Sequence, residues 1–189
     1  MLRNNKSNKK RILLYATDPG GANTIIPLVP KLLKQNFDVS LYGTDCALKK
    51  YQEFNLDGKD ISQQVQTINN TNIRSFIKTE NPNIIVTGTS TGLSERLMWN
   101  IATNLKIPTI AIVDQWLNYG IRFSKYTMAE LHKYEKNKTH HYLPSKILVM
   151  DRLAKKEILA EGIDTSRVSI SGQPYFDVLK NFKTNFSEE

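Results

Sequence analysis

At 189 residues the chain has room for one domain with a full core and little for a second. Hydrophobic residues make up 40% and charged residues 23%, the balance of a globular protein, and no apolar run nears the roughly 18 residues that span a bilayer. The net charge is +8, but Arg3, Lys6, Lys9, Lys10 and Arg11 precede any acid and have no aromatics among them, which argues against nucleic-acid binding.

Residues 1–10 read as a disordered basic tail, of a composition that can touch anionic lipid weakly. The apolar run after it is too short for a signal peptide, so a cytoplasmic protein is expected. Residues 11–17 form a short apolar run that suits a buried strand, and Asp18 to Asn23 read as a loop. A helix is predicted from Asn23 or Thr24 to Asn36, with Pro30 kinking it or delaying its start. A strand over 38–43 and a helix over 45–54 capped by Asp45 follow. Cys46, the only cysteine, excludes an intrachain disulfide and a thiolate zinc cluster and reads as a buried, inert thiol.

A weak strand is expected around 65–68, then a helix over 72–80 with Ile73, Phe76 and Ile77 on one face. Residues 84–87 are the clearest strand, and the Gly88–Gly92 loop leads into a helix over 93–105. Residues 108–113 read as another buried strand, and 120–142 have no clean period. A strand over 146–150, a helix over 152–161 closed by Gly162, a strand over 167–171 and a short helix over 175–182 complete the domain, with 183–189 as a polar tail. Apolar strands alternating with helices predict a doubly wound, mostly parallel α/β sheet covered on both faces, a single Rossmann-like domain over 11–182.

In such a sheet, ligands bind outside the carboxyl ends of the strands, where strand order reverses. If the first strand is central and the 84–87 strand is its neighbour, three loops face one crevice. Gly20 and Gly21 let backbone approach a phosphate or sugar, with Asn23 following; the loop fits neither dinucleotide nor P-loop fingerprints, and a tight turn explains it as well. Gly88, Thr89, Ser90 and Thr91 offer hydroxyls to a ligand or to a helix cap. The third loop brings Asp114, Gln115, Trp116, Asn118, Tyr119 and Arg122, a set that suits a sugar or base, or in the case of the two rings simply covers the sheet end. Asp114 and, second, Asp18 are the candidate bases. His140 and His141 are adjacent, so their side chains diverge, and His132 has no visible partner; no metal site or Ser-His-Asp triad is expected.

The runs Ile84 to Ser90, Ile107 to Asp114 and Arg167 to Pro174 with Asp177 resemble the amino-terminal domain of GT-B fold glycosyltransferases. They are also similar to the non-hydrolysing UDP-N-acetylglucosamine 2-epimerases, whose Gly-Asn-Pro turn and following Asp are matched by Gly172-Gln173-Pro174 and Asp177. The resemblance covers roughly residues 11–180 and implies an acceptor-side half that supplies a general base, with no cofactor beyond the nucleotide-sugar donor and no metal. Polysaccharide or glycoconjugate synthesis is the implied setting. Asp114 falls near a carboxylate that the epimerases use, whereas the acid they carry in the preceding loop has no match in Gly88–Gly92. The donor-binding domain of the family would begin near the end of this chain. Three readings stay open: a half-enzyme inactive without a separate donor-binding chain, a fragment of a longer transferase or epimerase, and a non-catalytic binding module.

Overall fold

The structure is a computed structural model describing residues 9–180; most of the expected basic tail, the polar tail at 183–189 and the end of the last expected helix lie outside them. Strand β1 is Arg11–Ala16. The first helix, α1, starts earlier than the sequence suggests, at Pro19–Ile25, because Asp18 acts as its N-cap and accepts from the Gly21 N–H at 2.6 Å. The chain breaks at Pro27 and resumes as α2, Leu28–Lys34, which places Pro30 in a first turn where its missing N–H removes no bond. The expected single helix is therefore two, and Asp18 to Asn23 are a helix start, not a loop.

Strand β2 is Asp38–Gly43 and α3 is Asp45–Glu53, with Thr44 at the cap position that the sequence assigns to Asp45. Cys46 lies in the first turn of α3 and is exposed, contrary to the buried reading. The third strand, β3, is the short Lys59–Asp60, and 65–68 is irregular. There Val65 is buried by packing without sheet pairing, which is why an apolar pattern misleads. Helix α4, Asn70–Glu80, is capped by Asn69 and buries Ile73, Phe76 and Ile77. Strand β4, Ile84–Thr87, leads to α5, Leu93–Asn104, and then to β5, Thr109–Ile112. The aperiodic stretch holds two 3-10 turns, Gly120–Phe123 and Met128–Glu130, and helix α6, Leu131–Lys136. Strand β6, Lys146–Val149, is followed by α7, Arg152–Ala160, whose Asp151 N-cap accepts from Ala154 and whose exit turns at Gly162 with φ +92°. Strand β7, Val168–Ile170, and helix α8, Tyr175–Leu179, end the described chain.

The strands form one parallel sheet in the order β3-β2-β1-β4-β5-β6-β7, so strand order reverses between β1 and β4. Alternate residues of β1 divide the core. Leu13 and Tyr15 pack with α4 and α5, while Ile12, Leu14 and Ala16 pack with α1 to α3. Each wholly buried aliphatic contributes on the order of 2 kcal/mol of transfer free energy, offset by chain entropy. Among the described residues, the second face is less fully covered. Ile84, Ile110 and Leu148 line an apolar groove of about 410 Å³ that runs between α2 and α8.

Candidate functional site

The chain leaving β1, β4 and β5 converges at the reversal, and two glycine contacts bring it close. A Cβ on Gly88 would stand 2.7 Å from Gly21 Cα, so the two backbones touch in a way no side chain permits. A Cβ on Gly20 would collide with Asp114 Oδ2, so that carboxylate lies against the start of α1. The space these glycines leave is thus filled by the protein's own backbone and by Asp114.

Arg122 joins the other two loops. Its Nη1 donates to Thr89 O, to Thr89 Oγ1 at 3.2 Å and to Asp114 Oδ1 at 3.2 Å. Its Nη2 donates to Gln115 Oε1 at 3.0 Å and its Nε to Asn118 O at 3.2 Å. The Asp114 and Arg122 side chains are only 7% and 8% exposed, so the pair is a buried one. Burial pushes the Asp114 carboxyl above the usual carboxylate range; Arg122 opposes that rise and the charge of Asp18 adds to it. Arg96 on α5 holds this loop from beneath, donating to Arg122 O at 3.0 Å, Ile121 O at 2.9 Å and Tyr126 O at 2.7 Å. Sequence reading missed Arg96, which looks like an ordinary helix-surface arginine.

A polar pocket of about 180 Å³ opens over this junction. Asp18 contributes from the head of α1, and Ser90 and Thr91 from the loop after β4. Gln115, Asn118, Arg122 and Met128 close the far side, Met128 being unforeseen. Of the two expected bases, Asp18 forms pocket wall, while Asp114 stands behind it.

The other expected residues divide. Thr89 is buried and acts as acceptor for Arg122. Tyr119 is not brought to the pocket; it is buried in the core beside Trp99 and Phe123. Trp116 points outward, 43% exposed, with its indole N–H on Asp151 Oδ2 at 2.7 Å and its ring stacked against Phe176. Asn23 lies within α1 away from the pocket lining, and its Oδ1 is buried with no hydrogen-bond partner among the described residues. Those residues also hold no group of three or more His, Cys, Asp or Glu placed to bind a metal ion, and no helix long and apolar enough to cross a membrane.

Glu95, in the first turn of α5, was not foreseen. It is wholly buried. Thr17 Oγ1 donates to its Oε1 at 3.0 Å and Ser90 Oγ donates to its Oε2. Burial pushes its carboxyl up to about 7; the Ser90 and Thr17 hydrogen bonds oppose that rise, and the nearby Asp18 charge reinforces it.

The sequence matches no family model, and no curated protein resembles it in sequence. Solved structures do resemble the fold. The Staphylococcus aureus MnaA–UDP co-structure superposes with a TM-score of 0.65 at 17% identity, over 93% of this chain and 50% of that one. A UDP-GlcNAc 2-epimerase from Neisseria meningitidis bound to UDP-GlcNAc gives 0.62 at 17%, over 90% and 48%. Acinetobacter baumannii MurG gives 0.54 at 12%, over 87% and 45%. The chain therefore has the Rossmann-like fold of a domain of these proteins and spans about half their length.

Proposed function

We propose that this chain is the acceptor-side, amino-terminal half of a GT-B type glycosyltransferase that uses a nucleotide-sugar in polysaccharide or glycoconjugate synthesis in the cytoplasm. The single observation that carries the acceptor assignment is the charge of the crevice. Asp18 faces the pocket with the buried Glu95 within its field, while Asp114 forms the ion pair with Arg122, whose Nη1, Nη2 and Nε each donate to protein acceptors. Among the described residues, a diphosphate brought here would meet the Asp18 carboxylate and an Arg122 charge that Asp114 already balances, whereas neutral hydroxyls meet hydrogen-bonding groups from Asp18, Ser90, Thr91, Gln115 and Asn118.

In this reading an acceptor hydroxyl enters the pocket beside Ser90, Thr91, Gln115 and Asn118. The pocket-facing Asp18 meets that hydroxyl directly as the base, and Asp114, behind the wall in its pair with Arg122, is the alternative base. The donor half supplies the groups that stabilise a departing nucleotide diphosphate, a large part of the barrier reduction. No cofactor is invoked; the nucleotide-sugar is a substrate. The experiment is sugar transfer from UDP-N-acetylglucosamine by the purified chain, alone and with a donor-binding half supplied. Transfer only in the second case supports the reading, and efficient transfer by the chain alone refutes it. A 2-epimerase-like half is the second reading, favoured by the closer superposition, 0.65 against 0.54. It differs in needing no acceptor for turnover.

A further inference from the structure

The wholly buried Glu95 is more than a filler of the crevice floor, because its partner Ser90 has one foot in the pocket. Ser90 Oγ donates to Glu95 Oε2 and accepts from the Gly92 N–H at 3.0 Å. A serine hydroxyl has one hydrogen and two lone pairs. With the hydrogen on Glu95 and one lone pair on Gly92, a single lone pair is left, and Ser90 forms part of the pocket wall.

We propose that Glu95 is a positioning residue that sets the hydrogen-bonding sense of the pocket: ionised, it holds the Ser90 hydrogen inward, so that Ser90 presents a lone pair to a ligand hydroxyl. The pocket then selects a ligand that donates there, a sugar or polyol hydroxyl, over one that presents a carbonyl or anionic oxygen at that point. Protonation of Glu95 reverses the sense. The carboxyl O–H donates to Ser90 Oγ, and the Ser90 hydrogen turns outward to be given to the ligand. The inference rests on the acceptor-side reading for the ligand's chemistry, but not for the coupling itself.

The groups that face Glu95 are few. Thr17 at the end of β1 donates to its other oxygen, and the Ser90 backbone N–H also supports the charged form. Asp18 at the head of α1 repels its charge. The buried phenols of Tyr15 on β1 and Tyr51 on α3 lie within its field and are themselves held neutral by burial. Arg96, the next residue along α5, turns its guanidinium to the carbonyls of 121, 122 and 126. The carboxyl rises towards neutrality through burial, so both senses of Ser90 fall in the neutral pH range.

The test begins without ligand. The chain is labelled at glutamate side-chain carbonyl carbons, the Glu95 signal is assigned by its loss in Glu95→Gln, and its titration is followed by NMR. The wild-type midpoint should lie near 7. In Ser90→Ala it should rise by about one pH unit or more, the worth of a hydrogen bond to a charged group, and Ser90→Thr should restore it. A midpoint unmoved by Ser90→Ala overturns the coupling even if the chain binds sugar. N-Acetylglucosamine is then the probe for the pocket. Its affinity should fall as Glu95 is protonated, and in Glu95→Gln it should lose that pH dependence. Coupling present with no binding of the probe at any pH leaves Glu95 tied to Ser90 and refutes the sugar-accepting reading instead. Binding whose pH dependence survives Glu95→Gln overturns the inference.

Discussion

Replacing Glu95 with Gln tests the burial of this acid through folding stability. The Glu95 carboxyl rises from 4.5 to about 7 on folding. Between those values the native state binds more protons than the unfolded chain, so stability falls as pH rises through that window. Below it Glu95 is neutral in both states; above it Glu95 is ionised in both, and the native state bears the whole burial penalty. At 1.36 kcal/mol per pH unit the penalty amounts to about 3 kcal/mol. Glutamine keeps the shape and stays neutral, and the Thr17 and Ser90 hydroxyls can rotate to meet an amide. Urea unfolding of both proteins across pH 4.5 to 8 should show the variant gaining on the wild type by about 3 kcal/mol towards the alkaline end. A stability difference that stays flat across that range would mean that Glu95 titrates alike in the folded and unfolded states.

Arg122→Ala should destabilise by about 3–5 kcal/mol in equilibrium unfolding, since it strands the buried Asp114 carboxylate; a loss below about 1 kcal/mol would contradict the hub role. Gly88→Ala drives a Cβ into the backbone of Gly21, so it should lower stability by roughly 1–3 kcal/mol, and a neutral effect would mean the loops separate easily. In an assembled enzyme, Asp18→Asn should cut turnover about 100-fold or more at saturating substrate; an unchanged rate passes the role of base to Asp114.

The sheet was legible because buried parallel strands are continuous apolar runs, as in Ile84 to Thr87 and Ile110 to Val113. The start of α1 was not, because Pro19-Gly20-Gly21 carries the composition of a turn, while the Asp18 side chain caps the Gly21 N–H and its carbonyl accepts from Ala22 to start a helix there. β3 was misplaced because a two-residue strand at the sheet edge carries no period, while the buried Val65 suggests one. The three loops were found by their position after strands, yet their division of labour depends on distant contacts. Nothing local distinguishes the inward Tyr119 from the outward Trp116. Glu95 illustrates the limit best. Three residues after Gly92, it reads as an ordinary first-turn acid favoured by the helix dipole; Ser90 reaches it across the turn before α5, but its other partner Thr17 meets it only once β1 and β4 lie side by side.

A crevice built for neutral hydroxyls should take up a sugar and turn away a diphosphate. Backbone amide shifts of the purified chain, titrated with N-acetylglucosamine and separately with UDP, distinguish the two. The sugar should move the amides of Gly21, Ser90, Thr91, Gln115 and Asn118 together along one saturable curve, and UDP should leave them in place. Saturation of those same amides by UDP at lower concentration than by the sugar would contradict that selectivity.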